Sequence, residues 1–147
     1  MHCNYNSNYK YNQNSEIMRE IRYRGIGIAE RKWVFGSLWF DTRDGVTLIW
    51  SEEQKSWVRV DPATVGEYTG LKDRNGKEVY EGDVIKIPET DFNAEIIGRV
   101  LFEEDAYYII PLRGGHLWGL HWSLRKHDAK IIGNIHDNPK FLKGGEQ

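Results

Sequence analysis

The chain has 147 residues, of which 29% are charged and 39% apolar, a balance typical of soluble globular proteins rather than disordered ones. Its net charge of −2 excludes a strong overall attraction to nucleic acid or to a membrane surface. Cys3 is the only cysteine, which excludes an internal disulfide, and no apolar run approaches the roughly 20 residues that span a bilayer. We therefore predict a cytoplasmic protein.

The first segment, residues 1–17, is rich in Asn and Tyr and shows no apolar period. Such a composition does not bury enough apolar surface to offset the entropy of ordering the chain, so we predict a disordered extension. The alternative is that these residues lie upstream of the true start at Met18 and are not translated in the cell.

From residue 18 onwards, short segments rich in β-branched and aromatic residues alternate with Gly, Asn and Asp turn signals. This pattern predicts a mainly β protein with at most short helical turns. The predicted strands are Ile21–Tyr23, Lys32–Phe40, Val46–Trp50, Ser56–Val60, Val84–Ile87, Ile96–Phe102, Tyr107–Leu112 and Lys130–Ile135.

The turns between these strands carry clear residue signals. Asp44-Gly45 and Asn75-Gly76 are hairpin dipeptides, which predicts a positive φ at both positions of each pair. Asp61-Pro62 predicts one short helical turn, with Asp61 as its cap and Pro62 at its first position. Glu81-Gly82-Asp83 is a further turn that leads into an apolar strand.

One predicted strand has more apolar surface than a single sheet face needs. Its crowded side chains are Trp33, Phe35, Leu38, Trp39 and Phe40. A strand that is apolar on both faces is buried on both sides, either within the domain or by a neighbouring subunit. The segment therefore makes a symmetric homo-oligomer a candidate.

The region Arg113–Lys130 interleaves basic, aromatic and histidine side chains. Its candidate binding residues are Arg113, His116, Trp118, His121, Trp122, Arg125 and Lys126. Small barrels hold single-stranded nucleic acid in this way, because cations meet phosphates and rings stack on bases. The favoured interpretation is structural: Trp118, Leu120, Trp122 and Leu124 point inward along an extended stretch and cover a barrel end.

No catalytic, metal or cofactor site is predicted. His116, His121, His127 and His136 lack the close-spaced ligand pairs of a zinc site. Ser123 has no Gly-x-Ser-x-Gly elbow around it. Asp73 and Asp83 are explained by turn geometry, and Glu103-Glu104-Asp105 by a solvated turn.

Five motifs spread along the chain resemble one known family. In order, they are Met18–Gly25, Lys32–Leu38, Val60–Tyr68, Tyr68–Ile85 and Ile131–Pro139. Together they resemble the YopX-like family of phage and prophage proteins, over about residues 18–142, and the chain departs from that family near residues 116–127. The resemblance implies a mostly β fold whose C-terminal portion is similar to an SH3-like barrel. It implies no catalytic residues and no particular biochemical activity.

We therefore predict a single YopX-like domain over residues 18–147. A short-stranded N-terminal β lobe (18–66) is expected to pack on an SH3-like barrel lobe (67–136). In the C-terminal tail (137–147), Phe141 and Leu142 are expected to dock and close the sheet edge.

The predicted function is that of a non-enzymatic phage or prophage accessory protein in the cytoplasm of a bacterial host cell. Its expected partner is an unidentified host or phage protein, or another copy of the chain, and no membrane or cofactor is involved. Two alternatives remain, namely nucleic-acid binding through Arg113–Lys130 and an unrecognised hydrolase activity.

Overall fold

Antiparallel β-strands dominate the part of the chain that the computed structural model describes, residues 20–88 and 94–143. The strands are β1 Tyr23–Ile26, β2 Trp33–Asp41, β3 Val46–Ser51, β4 Ser56–Arg59, β5 Gly66–Lys72, β6 Glu78–Tyr80, β7 Asp83–Ile87, β8 Ile96–Glu103, β9 Ala106–Pro111, β10 Trp118–Gly119 and β11 Lys130–Asn134. One helix, α1, spans Leu120–Lys126, and 3₁₀ turns span Pro62–Thr64 and Pro139–Leu142. The prediction of a mainly β protein is confirmed, whereas the predicted extension at 1–17 lies outside the described residues.

The strands form two sheets, and the change of sheet falls after β6. Sheet 1 has the order β4-β3-β2-β1-β5-β6, and sheet 2 has the order β10-β9-β8-β7-β11. Strand β5 joins sheet 1 because Glu67 pairs with Tyr23 of β1. The SH3-like barrel predicted over residues 67–136 is not confirmed, since these residues are divided between the two sheets.

Sheet 1 curls so that one of its faces encloses a small core. Beyond the ends of β1 and β4, Gly27 and Val60 form an antiparallel bridge, and Ile28 N–H donates to Arg59 O at 3.0 Å. The core consists of buried Val34, Ile49 and Val60 with half-buried neighbours. Because side chains alternate along a strand, every second residue of β2 and β3 points away from this core.

The main core is formed by sheet 2, helix α1 and Val79 of β6 in sheet 1. Its buried members are Val79, Ile85, Ile87, Val100, Ile109, Leu120 and Ala129. Strands β8 and β9 approach each other closely here: a Cβ on Gly98 would lie 2.6 Å from both Ile109 Cγ2 and Ile110 O. Only glycine fits at that position without displacing the neighbouring strand.

The turn predictions are partly confirmed. Asp61 caps the first 3₁₀ turn, since its Oδ1 accepts from Ala63 N–H at 3.0 Å. Gly45 and Gly76 have φ of 73° and 79°, but Asp44 and Asn75 do not have a positive φ. Both connections are longer than two residues, so only the glycine needs the left-handed region. Gly76 N–H donates to Asp73 O at 3.0 Å, which closes the β5–β6 hairpin.

The predicted extended stretch from Trp118 to Leu124 is wrong, because residues 120–126 form helix α1. Leu120 and Ser123 are buried and Leu124 packs against the core, so the inward positions follow helical spacing. Trp122 is therefore directed outward and is 57% exposed. Trp118 does pack against the core.

The C-terminal prediction is half correct. Phe141 is half-buried, and its ring lies close enough to Gly133 that a Cβ there would be 3.1 Å from Phe141 Cε2. Leu142 is 52% exposed and does not dock. The 3₁₀ turn at Pro139–Leu142 directs the two neighbouring side chains differently.

Candidate functional site

The predicted basic and aromatic residues of Arg113–Lys130 lie mostly on the surface. Exposed members are Arg113, His116, His121, Trp122, Arg125 and Lys126, while Trp118 is half-buried. The structure brings Trp122 and Lys126 together, with Lys126 Nζ 5.7 Å from the centroid of the indole. Arg113 and His116 lie in the connection between β9 and β10.

The histidines of the described chain lie in different surroundings and do not form one cluster. His121 is exposed on α1, His127 packs edge-on against Trp118 at 5.8 Å, and His136 lies beside Trp33 in another part of the fold. Over residues 20–88 and 94–143, no group of three or more His, Cys, Asp and Glu side chains is arranged to hold a metal ion. In the same ranges, no helix has the length and apolarity needed to cross a membrane.

A second surface is formed by the face of sheet 1 that points away from the Val34–Ile49–Val60 core, which we call the aromatic face. Pairing places Ser37, Trp50 and Trp57 in one row and Trp39, Leu48 and Arg59 in the next. Directly opposed residues of neighbouring strands share a face. The same face continues through Trp33 and Phe35 of β2 to Arg24 of β1, which lies opposite Phe35.

One half of the aromatic face is covered where the two sheets meet. Arg24 reaches across the junction to Asp83 of β7, with Nη2 2.8 Å from Oδ1, and the two side chains are only 8% and 3% exposed. The guanidinium also lies 4.5 Å from the Trp33 ring centroid and 4.9 Å from that of Tyr80. We call this the covered half. An ion pair this deep is costly to break from one side, because the remaining charge stays buried.

The segment after β11 completes the covered half. Trp33 Nε1–H donates to Asp137 Oδ2 at 2.9 Å, and Asn134 Nδ2–H donates to the same oxygen at 2.8 Å. The His136 ring stands edge-on to Trp33 at 5.9 Å. Residues from both ends of the chain therefore meet over one indole.

The electrostatics of the covered half follow from burial. Burial raises the pKa of the Asp83 carboxyl, although the Arg24 guanidinium opposes that rise. Burial, assisted by the charge of Arg24, lowers the pKa of His136 below its usual value. Burial also raises the pKa of the Tyr80 hydroxyl, which stays protonated. The junction therefore holds one buried ion pair beside a histidine that binds a proton less readily than a free imidazole.

The other half of the aromatic face is open to solvent. The indole of Trp57 contacts those of Trp50 and Trp39, with centroid distances of 5.6 and 6.4 Å. Trp39 is 55% exposed, Trp57 48% and Phe35 45%. We call this the open half, and we define it by Phe35, Ser37, Trp39, Leu48, Trp50, Trp57 and Arg59.

Two ion pairs lie at the edge of the open half. Arg43 Nη2 lies 2.8 Å from Asp41 Oδ2, and Lys55 Nζ lies 2.8 Å from Glu52 Oε2. Glu52 also accepts from Trp50 Nε1–H at 3.0 Å. We call these four side chains the rim of the open half, and their charges sum to zero.

Part of this surface was predicted from the sequence, namely Trp33, Phe35 and Trp39 of β2. Trp50 and Trp57 were missed, although both lie in predicted strands. The available signal was the register of the hairpins, because a tryptophan opposite another tryptophan places both on one face. The turn role predicted for Asp83 is observed, since its Oδ2 accepts from Tyr80 N–H at 2.8 Å. Its ion pair with Arg24 joins residues 59 positions apart and was missed.

The fold and this surface define a small mainly β protein of two antiparallel sheets, whose first sheet bears an exposed aromatic face. A family profile described as YopX protein matches residues 3–143. The chain therefore belongs to the YopX family, and the predicted resemblance is confirmed.

Solved structures share the fold. The chain is similar to protein EF1440 from Enterococcus faecalis, with 19% identity and a TM-score of 0.56, over 85% of this chain and 99% of that one. It is also similar to protein yopX from Bacillus subtilis, with 18% identity and a TM-score of 0.56, over 88% of this chain and the whole of that one. At these identities the likeness shows the fold alone. A search of curated proteins finds no match.

Proposed function

We propose that this YopX-family chain is a non-enzymatic accessory protein of a phage or prophage, and that it works in the host cytoplasm by holding a protein partner on the open half of its aromatic face. The observation that carries this proposal is the exposure of Phe35, Trp39 and Trp57 on one sheet face. Large side chains of this kind dominate the binding energy of protein interfaces, where Trp and Tyr are enriched among the residues that matter most.

The surroundings of the open half also favour a protein partner. Its rim pairs, Asp41–Arg43 and Glu52–Lys55, leave no excess charge. Polyanions are attracted by unbalanced positive fields, which these pairs do not supply. An aromatic centre with one arginine, here Arg59, and a polar rim is the usual composition of a protein-binding patch.

The experiment that tests this proposal places a photo-crosslinking amino acid on the surface. Ser37 is exposed in β2 between Phe35 and Trp39, so p-benzoylphenylalanine at this position reports what lies over the open half. Illumination of the bacterial host during prophage expression, followed by nuclease treatment, is expected to give a protein adduct of one defined mass.

Two controls make the crosslinking result specific. The same amino acid at exposed Lys143 tests the opposite end of the described chain. Adding Trp57→Ser removes one indole from the open half without touching the crosslinking position. Loss of the adduct in both controls supports the proposal, and an adduct that survives Trp57→Ser contradicts it.

A second candidate, nucleic-acid binding, is favoured by the contact between exposed Trp122 and Lys126, with Arg125 next to them. Stacking on an exposed indole beside cations is how single strands are held. A mobility-shift titration against salt checks it, because phosphate contacts weaken steeply as salt rises. No shift at low salt would eliminate this candidate. The hydrolase alternative stays a prediction without a structural observation in its favour.

A further inference from the structure

We infer that the protein partner held by the open half is a second copy of this chain, so that two aromatic faces stack as a two-fold symmetric sheet sandwich. This inference rests on the proposed function and names its partner. Two sheets pack face to face about 10 Å apart with their side chains interdigitated, which a regular array of alternating outward residues permits. Strands β2, β3 and β4 present such an array.

The charges favour a self-complementary contact. In a two-fold interface the same patch meets itself, so a patch with excess charge of one sign would repel its copy. The Asp41–Arg43 and Glu52–Lys55 pairs instead give each copy both signs at its rim. Arg59 stands in the same row as Trp39, where its guanidinium meets the indoles of the other copy.

The size of the surface indicates a weak dimer. Because a large aromatic side chain buries about 150–250 Å², Phe35, Trp39 and Trp57 at their exposures remove about 300 Å² per copy from water. Ser37, Leu48, Trp50 and Arg59 bring the total for two copies towards the roughly 1,000 Å² that a specific interface requires. We therefore expect an equilibrium between monomer and dimer in the micromolar range.

Sedimentation velocity over a concentration series of the purified full chain tests the inference. The wild type is expected to shift from monomer to dimer as concentration rises. Trp57→Ser is expected to weaken the dimer at least about thirty-fold, as for an interface hot spot. Trp122→Ser is the matched control, because that indole, on helix α1, is at least as exposed as Trp57. The control is expected to leave the dimer unchanged.

A second variant keeps the test independent of folding. Ser37→Arg leaves every indole in place and adds a second, bulky cation to the open half besides Arg59. Two such patches facing each other carry an excess of positive charge, which should also abolish the dimer. Thermal melting of each variant verifies that the monomer is folded. A wild type that stays monomeric at every concentration, or a dimer insensitive to both Trp57→Ser and Ser37→Arg, overturns the inference.

The crosslinking experiment at position 37 separates this inference from the proposed function. A self-adduct supports both. An adduct with a different protein, together with a monomeric wild type, overturns the second copy as partner and leaves the docking function standing. No protein adduct and no dimer overturn both.

Discussion

The covered and open halves of the aromatic face share strand β2 but differ in how far their side chains are exposed to solvent. Both arise from β2, whose odd-numbered residues all point to one side. In the covered half, Trp33 is held by Arg24 and Asp137, which reach it from other parts of the chain. In the open half, Trp39 contacts only its neighbour Trp57 among the described aromatic rings. The same alternation along β2 therefore gives a covered half at one end of the strand and an exposed half at the other.

Long-range polar partners, rather than aromatic content, distinguish the covered half from the open half. The ion pair between Arg24 and Asp83 joins sheet 2 to sheet 1 beside Trp33 and Tyr80. No comparable partner from sheet 2 is described over Trp39 or Trp57. If this view is correct, substitutions in the covered half should cost stability, and substitutions in the open half should cost association.

The largest expected effect comes from the buried ion pair. We expect Asp83→Ala to lower the free energy of unfolding by about 3–5 kcal/mol, because it leaves the Arg24 guanidinium buried without its partner. Urea unfolding measures the loss. Glu52→Ala, which removes an exposed ion pair in the open half, is the control and is expected to leave the unfolding midpoint unchanged. Equal midpoints for both variants would show that the junction is not locked by this pair.

The second largest expected effect is a difference in stability between variants at two tryptophans of strand β2. Trp33→Ala removes a desolvated cation–π contact worth about 2 kcal/mol and a hydrogen bond worth about 1 kcal/mol, so we expect a loss of about 3 kcal/mol. For Trp39→Ala we expect a loss of less than about 1 kcal/mol, as for a surface position. Paired chemical denaturation curves measure both. A larger loss for Trp39→Ala would reverse the assignment of the two halves.

A smaller effect concerns the hairpin that carries Tyr80 into the covered half. Gly76→Val should cost about 1 kcal/mol or more, because a β-branched residue is strained at a φ of 79°. Asn75→Ala should cost less, since Asn75 does not have a positive φ. Thermal melting compares the two variants. A greater loss for Asn75→Ala would show that the side chain, and not the backbone, stabilises the turn.

The smallest effect is a pH dependence located at His136. Its pKa is lowered in the folded protein, so between that value and the unfolded value of about 6.5 the unfolded state binds more protons. Stability should therefore fall as pH falls below about 6.5, and this part of the slope should vanish in His136→Gln. Urea unfolding of both proteins at a series of pH values measures the difference. Parallel curves would mean that His136 does not titrate differently on folding.

Much of the secondary structure could be predicted locally. Seven predicted strands, including Lys32–Phe40 and Ile96–Phe102, match observed strands to within one residue at each end, because their alternation and flanking turn residues act over short distances. The stretch from Trp118 to Leu124 was predicted as extended, because its even-numbered residues are apolar. Seven residues are too few to separate that period from a helical one, and contact with the sheet 2 core decided between them.

The candidate site also has a part that could be predicted from the sequence and a part that could not. That β2 carries aromatic side chains on both faces can be read from the amino-acid order, because side chains alternate along one strand. Which of them are covered depends on the folded chain, because Arg24 pairs with Asp83 and Trp33 with Asp137 across separations of 59 and 104 residues. Such long-range pairs produce no repeating pattern in the amino-acid sequence, because each depends on how the strands pack in the folded chain.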